Sequence, residues 1–179
     1  MTLQNLQNLF QRRQQYAFSY QGVPFRLEWD DPELDERMKT LLLPIWEPTN
    51  DPSCDAVFRL ERTPRNRFRV IAPDLGFHTI PKPDPVETLE RKLHLYLAIQ
   101  AKESIYVHAG VVRIHDQTVV IPGRCFAGKS SLVRALVEEG ATFISDEYAV
   151  IDREGLVHPF PRPISLRTPE GFKRVDAIE

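Results

Sequence analysis

VVIPGRCFAGKSSLVRALVEEG, from Val119 to Gly140, begins as an apolar strand, passes through a glycine turn and continues as a helix. Val119 to Ile121 supply the strand. Leu132, Val133, Leu136 and Val137 then recur at helical spacing until Gly140 closes the pattern. Between them Gly123, Gly128, Lys129 and Ser130 fit G-x-x-x-x-G-K-[ST], the phosphate-binding loop. The glycines let backbone N–H groups curl around an anion, and the N-terminal end of the following helix adds positive partial charge. Lys129 is expected to reach the terminal phosphates of a nucleotide, with the Ser130 hydroxyl on Mg²⁺. The candidate nucleotide-binding segment comprises Gly123, Arg124, Cys125, Phe126, Ala127 and Gly128 in the loop, with Lys129, Ser130 and Ser131 at the head of the helix.

A phosphate loop also needs a carboxylate for its metal, ordinarily at the end of a neighbouring strand. ATFISDEYAVID, from Ala141 to Asp152, brings Asp146 and Glu147 directly after the apolar pair Phe143 and Ile144. Adjacent acids in a regular strand point to opposite faces, so the two take different tasks unless the backbone bends there. His108, in VHAGVV, lies on the strand expected to pair with the one entering the loop, which brings it within reach.

The rest of the chain bounds the answer. Its 179 residues are enough for one ordinary domain or two small ones, and 23 Lys and Arg against 25 Asp and Glu leave no basic field for nucleic acid. No stretch has the length and apolarity of a membrane span or signal peptide, so a cytoplasmic location is expected. Cys54 and Cys125 are too far apart in sequence, and too few, for a disulfide framework or a zinc site.

Upstream, LQNLF suits a short amphipathic helix, and YAFSYQGVPFRLEW alternates around Gln21-Gly22 as a hairpin. Asp31-Pro32 opens a helix that carries Leu34, Met38, Leu41 and Leu42 and stops at Pro44. CDAVFRLE and RFRVIAP form a second strand pair about RTPRN. The prolines of PKPDPVE, residues 81 to 87, argue against regular structure and mark a boundary, after which Leu89, Leu93, Tyr96 and Leu97 share one face of a connecting helix. IYVHAGVVRI and TVVIPG then flank HDQ as a β-hairpin. The expected division is a small α+β region over 1–84 and a nucleotide-binding domain over 85–179.

VHAG, GRCFAGKSSL, SDEYAVID and PFPRPISLR, in that order between Ile105 and Arg167, resemble the C-terminal domain of HPr kinase/phosphorylase. The likeness is greater to the HPr-kinase-related proteins of uncertain substrate. The resemblance implies an α/β P-loop kinase core of the kind shared with phosphoenolpyruvate carboxykinase, and transfer of the γ-phosphate of ATP to a serine-type hydroxyl. Carried over by motif, the implied site is His108, Lys129, Ser130 and Asp146, with Glu147 standing where the family has a second Asp. Mg²⁺ falls to Ser130 with Asp146 or Glu147, the remaining acid accepts the hydroxyl proton directly or through His108, and Arg162 is a candidate phosphate contact. The acceptor is expected to be a small protein, a peptide or a metabolite, and a homo-oligomer is common in the family. Only TPEGFKRVDAIE follows Arg167, short for that domain, so the domain is expected to be C-terminally incomplete. A nucleotide-binding regulatory module without kinase activity is the alternative that this shortness and Glu147 favour.

Overall fold

The computed structural model describes residues 14–43, 45–50, 54–65, 67–75, 84–124, 127–160, 164–168 and 171–175. The LQNLF helix and residues 81–83 of the proline-rich stretch fall outside them. The chain divides into two compact units, Met1–Ala101 and Lys102–Glu179.

In the first unit, alternating apolar residues build β1 (Gln14–Tyr20) and β2 (Val23–Trp29), which pair antiparallel in register from Gln14 opposite Trp29 to Tyr20 opposite Val23. Gln21 and Gly22, both at positive φ, make the two-residue turn. Asp31 caps a 3-10 turn (Pro32–Leu34) by accepting the Glu33 N–H, and α1 (Asp35–Lys39) follows. β3 (Glu47–Pro48) borders β1, while β4 (Val57–Arg62) pairs parallel to β2 and antiparallel to β5 (Phe68–Ile71). The sheet order is β3-β1-β2-β4-β5. Helix α2 (Pro85–Gln100) packs on β4 and β5, and buries Leu89, Leu93 and Leu97 within a unit whose core includes Phe25, Leu27, Phe58 and Leu60. Each such side chain contributes about 1.5–3 kcal/mol by leaving water. Pro85 does not interrupt regular structure, as the proline count suggested. It is the first helical residue, where no N–H is needed, and Asp84 caps the helix by accepting from Val86 and Glu87.

In the second unit β6 (Ser104–Ile114) is the central strand. β7 (Gln117–Pro122) pairs with its Ala109–Ile114 stretch on one side. On the other side β8 (Thr142–Ser145) lies against Val111–Arg113 and β9 (Tyr148–Asp152) against Ser104–His108. All four contacts, including β10 (Val157–His158) on β9, are antiparallel. Helix α3 (Lys129–Glu138) covers one face through Val133, which is fully buried with Val112 among Val119, Ile121, Leu136 and Phe143. Ala109, Val111 and Ala149 centre an apolar cluster of their own. β11 (Ile164–Thr168) and β12 (Gly171–Val175) form an antiparallel hairpin.

This architecture corrects the expected fold. The described residues form twelve strands in mainly antiparallel sheets with only three short α-helices, so the chain is mostly β and not an α/β P-loop kinase core. The strand, loop and helix of the motif exist, but a local pattern fixes only its own segments. The strands that flank the β6–β7 hairpin are set by long-range pairing of β6 with β8 and β9, and among the described strands β7 pairs with β6 alone.

Candidate functional site

β7 delivers the chain to the loop at Pro122, opposite Ala109 of β6. Gly123 follows, and a Cβ there would stand 3.3 Å from the Ala127 Cβ and 3.3 Å from the Lys129 Cγ, so the loop folds too closely over this residue for a larger one to enter freely. The Ala127 N–H donates to the Arg124 carbonyl, closing the turn, and Gly128 occupies the left-handed region at φ +87° as the N-cap of α3. Gly128 has no side chain to cap this helix, and among the described residues the first regular bond is from the Leu132 N–H to the Gly128 carbonyl. The N–H groups of Lys129, Ser130 and Ser131 therefore begin α3 without an acceptor inside the helix.

Lys129 is the buried cation of the site, only 8 % exposed. Its ammonium donates to the carbonyls of Gly123 at 3.0 Å and Arg124 at 3.1 Å, folding back over the loop mouth. Ser130 is half-buried, while Arg124, Ala127, Gly128 and Ser131 are exposed. Cys125 and Phe126 lie outside the described residues, as does Arg162.

The acids sit across β6 from the loop. A bulge at Ile144 displaces the β8 register, so that Val112 faces Phe143 but Val111 faces Ser145. The ladder resumes at His108 opposite Tyr148 in the register it held at Val111 opposite Ser145. Asp146 therefore falls opposite Gly110 and Glu147 opposite Ala109, and the Ala109 N–H donates to the Glu147 carbonyl at 3.3 Å. Between these points the backbone bends at Asp146 and Glu147. Asp146 is buried and Glu147 half-buried, so the bend separates the two carboxylates by solvent access.

One transverse row of the sheet thus runs Pro122, Ala109, Glu147. Two inter-strand spacings separate the loop entrance from the acidic bend, about 10 Å of backbone. His108 is the next residue along β6, half-buried, with its ring centroid 6.3 Å from that of Tyr148. The topology brings His108, the loop and both acids to the same end of β7 and β8. Among the described residues no group of three or more His, Cys, Asp or Glu is assembled that could hold a metal by itself.

Ser145 is the participant that reading the sequence for charges missed. Its fully buried hydroxyl accepts the N–H groups of Glu147 at 3.3 Å and Tyr148 at 3.2 Å. The signal was present in S-D-E-Y, because a serine two or three residues before an N–H commonly closes a turn. Tyr148 was also passed over; its ring makes edge-on contacts with Tyr106 and Phe160.

An open depression of about 500 Å³ at the β4–β5 turn, lined by Thr63, Pro64, Arg65, Arg67, Phe68 and Arg69, contains none of these residues. Among the described residues no helix is long and apolar enough to cross a membrane. No protein-family model, curated protein or solved structure matches the chain.

Proposed function

We propose that this chain binds ATP as its magnesium complex at Gly123–Ser131 and passes the γ-phosphate to a hydroxyl acceptor. One observation carries the reading: Lys129, whose buried ammonium is held by two loop carbonyls, is the first residue of α3, whose first-turn N–H groups have no acceptor within the helix. Such a cluster of donors favours an anion of high charge. A phosphate there would exchange with the Gly123 and Arg124 carbonyls for the ammonium.

Mg²⁺ needs only one or two protein oxygens and completes its shell with water and substrate phosphate. Ser130 and Asp146 are the residues assigned to it, with Glu147 the alternative carboxylate; the bound ion would supply neutralisation of the transferring phosphate. Glu147, the more accessible acid, is assigned to the incoming hydroxyl, directly or through His108. As the acceptor oxygen bonds to the γ-phosphorus and the bond to the β-phosphate oxygen breaks, the hydroxyl proton passes to the Glu147 carboxylate. Serine-type hydroxyls on a peptide, a small protein or a metabolite remain the acceptor class. The reading goes with a cytoplasmic location, where nucleotide and reduced thiols coexist.

Calorimetry with ATP, with and without Mg²⁺, tests the first half. Binding by the wild type that collapses in Lys129→Ala supports it, and a folded wild type that binds no ATP overturns it. The second half is tested with labelled ATP offered to free serine and a mixture of serine-containing peptides. Glu147→Gln is expected to keep binding and lose transfer. Binding with no transfer to any acceptor would instead make the chain a nucleotide-responsive regulatory module.

A further inference from the structure

We propose that Ser145 is a positioning residue, whose hydroxyl holds the Asp146–Glu147 bend in the place from which it serves magnesium nucleotide. The inference rests on the phosphate-loop reading and extends it to an uncharged residue on another strand.

β8 and β9 run in the same direction along one edge of β6, and would be a single strand but for the bend between them. Such a break exposes backbone donors that a continuous ladder would use. Here the Glu147 and Tyr148 N–H groups donate to the Ser145 hydroxyl. Ser145 is itself fixed from two sides, opposite Val111 of β6 and in an isolated parallel bridge to Phe160. The hydroxyl is completely buried, so water does not replace it without opening the corner. The bulge at Ile144 brings serine to this place: in unbulged register Val111 would face Ile144, which has no hydroxyl.

Carboxylates near an ion need outer partners to hold their orientation, and removing such a partner weakens metal affinity roughly 10–100-fold. In Ser145 that partner works on the backbone carrying the acids. The loop and Lys129 belong to β7 and α3, and so are expected to be untouched by its loss.

The test is calorimetry of ATP alone and ATP with MgCl₂ on the wild type, Ser145→Ala and Ser145→Thr, joined to amide hydrogen exchange at Glu147 and Tyr148. Ser145→Ala is expected to bind metal-free ATP as the wild type does, and to lose about tenfold or more of the affinity gained with Mg²⁺. Its Glu147 and Tyr148 amides exchange faster, and Ser145→Thr, which keeps the oxygen, restores both readouts. An undiminished magnesium gain in Ser145→Ala, with the wild type binding normally, overturns this proposal alone. Equal weakening with and without Mg²⁺ also overturns it, because the residue would then serve only general stability. A wild type that binds no ATP overturns the phosphate-loop reading and this proposal together.

Discussion

The Val133 Cγ2 methyl of α3 lies 2.4 Å from where a Cβ on Gly110 of β6 would stand. Helix and sheet therefore touch at a point that only a hydrogen can occupy. Val133 is fully buried and β-branched, so in a helix it has one favoured rotamer and little freedom to retreat. Gly110→Ala is expected to lift α3 and destabilise the protein by about 1–3 kcal/mol, the usual effect of overpacking. Urea unfolding measures it, and Gly110→Ala with Val133→Ala should recover part of the loss. A Gly110→Ala variant as stable as the wild type would mean that the helix is free to shift.

The loop has its own conformational requirement at Gly128, whose φ of +87° starts α3. An L-residue held in the left-handed region loses about 1–2 kcal/mol. Gly128→Ala is expected to lose about that much stability, with weaker ATP binding because the N–H groups of Lys129 and Ser130 turn with it. No clash of the Cβ with the described residues contributes, since none of them lies within 4 Å. A variant that loses stability while keeping full ATP affinity would separate this backbone strain from the proposed phosphate site.

Local chemistry was readable from the sequence, and long-range pairing was not. The Gln14–Trp29 hairpin announced itself because side-chain alternation and a two-residue glycine turn are both short-range signals. So did the β6–β7 hairpin and α3, for the same reason. The same motif misled on fold, because the pattern from Val119 to Gly140 says nothing of the direction of the strands beside it. The parallel pairing of β2 with β4, and the shared edge of β8 and β9, join residues dozens of positions apart or hinge on one bulged residue. At the site, charge and glycine spacing picked out Lys129, Asp146 and Glu147. Ser145 escaped, because an uncharged hydroxyl acquires its task only once the backbone bends around it.

Glu28 is a buried carboxylate, 3 % exposed, clamped by the guanidinium of Arg59 at 2.7 Å, with Arg26 at 3.8 Å. Truncating one partner of such a pair leaves a desolvated charge and typically costs about 3–5 kcal/mol. Arg59 remains partly exposed, which places Arg59→Met at the lower end of that range. Adding Glu28→Gln should return much of the loss, because the stranded charge is then gone. A double-mutant cycle read by urea unfolding checks this, and additive losses would show that the pair is not coupled.

The β9–β10 turn predicts how stability responds to acid. His158 Nε2 stands 2.6 Å from Asp152 Oδ2, and the Leu156 N–H donates to Asp152 Oδ1 at 2.8 Å. The His158 hydrogen bond, with help from the Leu156 N–H and against a burial effect that acts the other way, holds the Asp152 carboxyl below the ordinary aspartate value. A carboxyl lowered in the folded state binds its proton more readily when unfolded, so its stabilisation is complete above the unfolded value, about pH 4. It fades as the pH falls through the lowered folded value. The stability difference between the wild type and Asp152→Asn is thus expected to hold steady from pH 7 to 5 and to shrink below about pH 4. His158→Phe should narrow the window by returning the carboxyl towards its ordinary value. Urea unfolding at pH 7, 5, 4 and 3 reads both variants, and a wild-type advantage unchanged down to pH 3 would show that the Asp152 carboxylate is not its source.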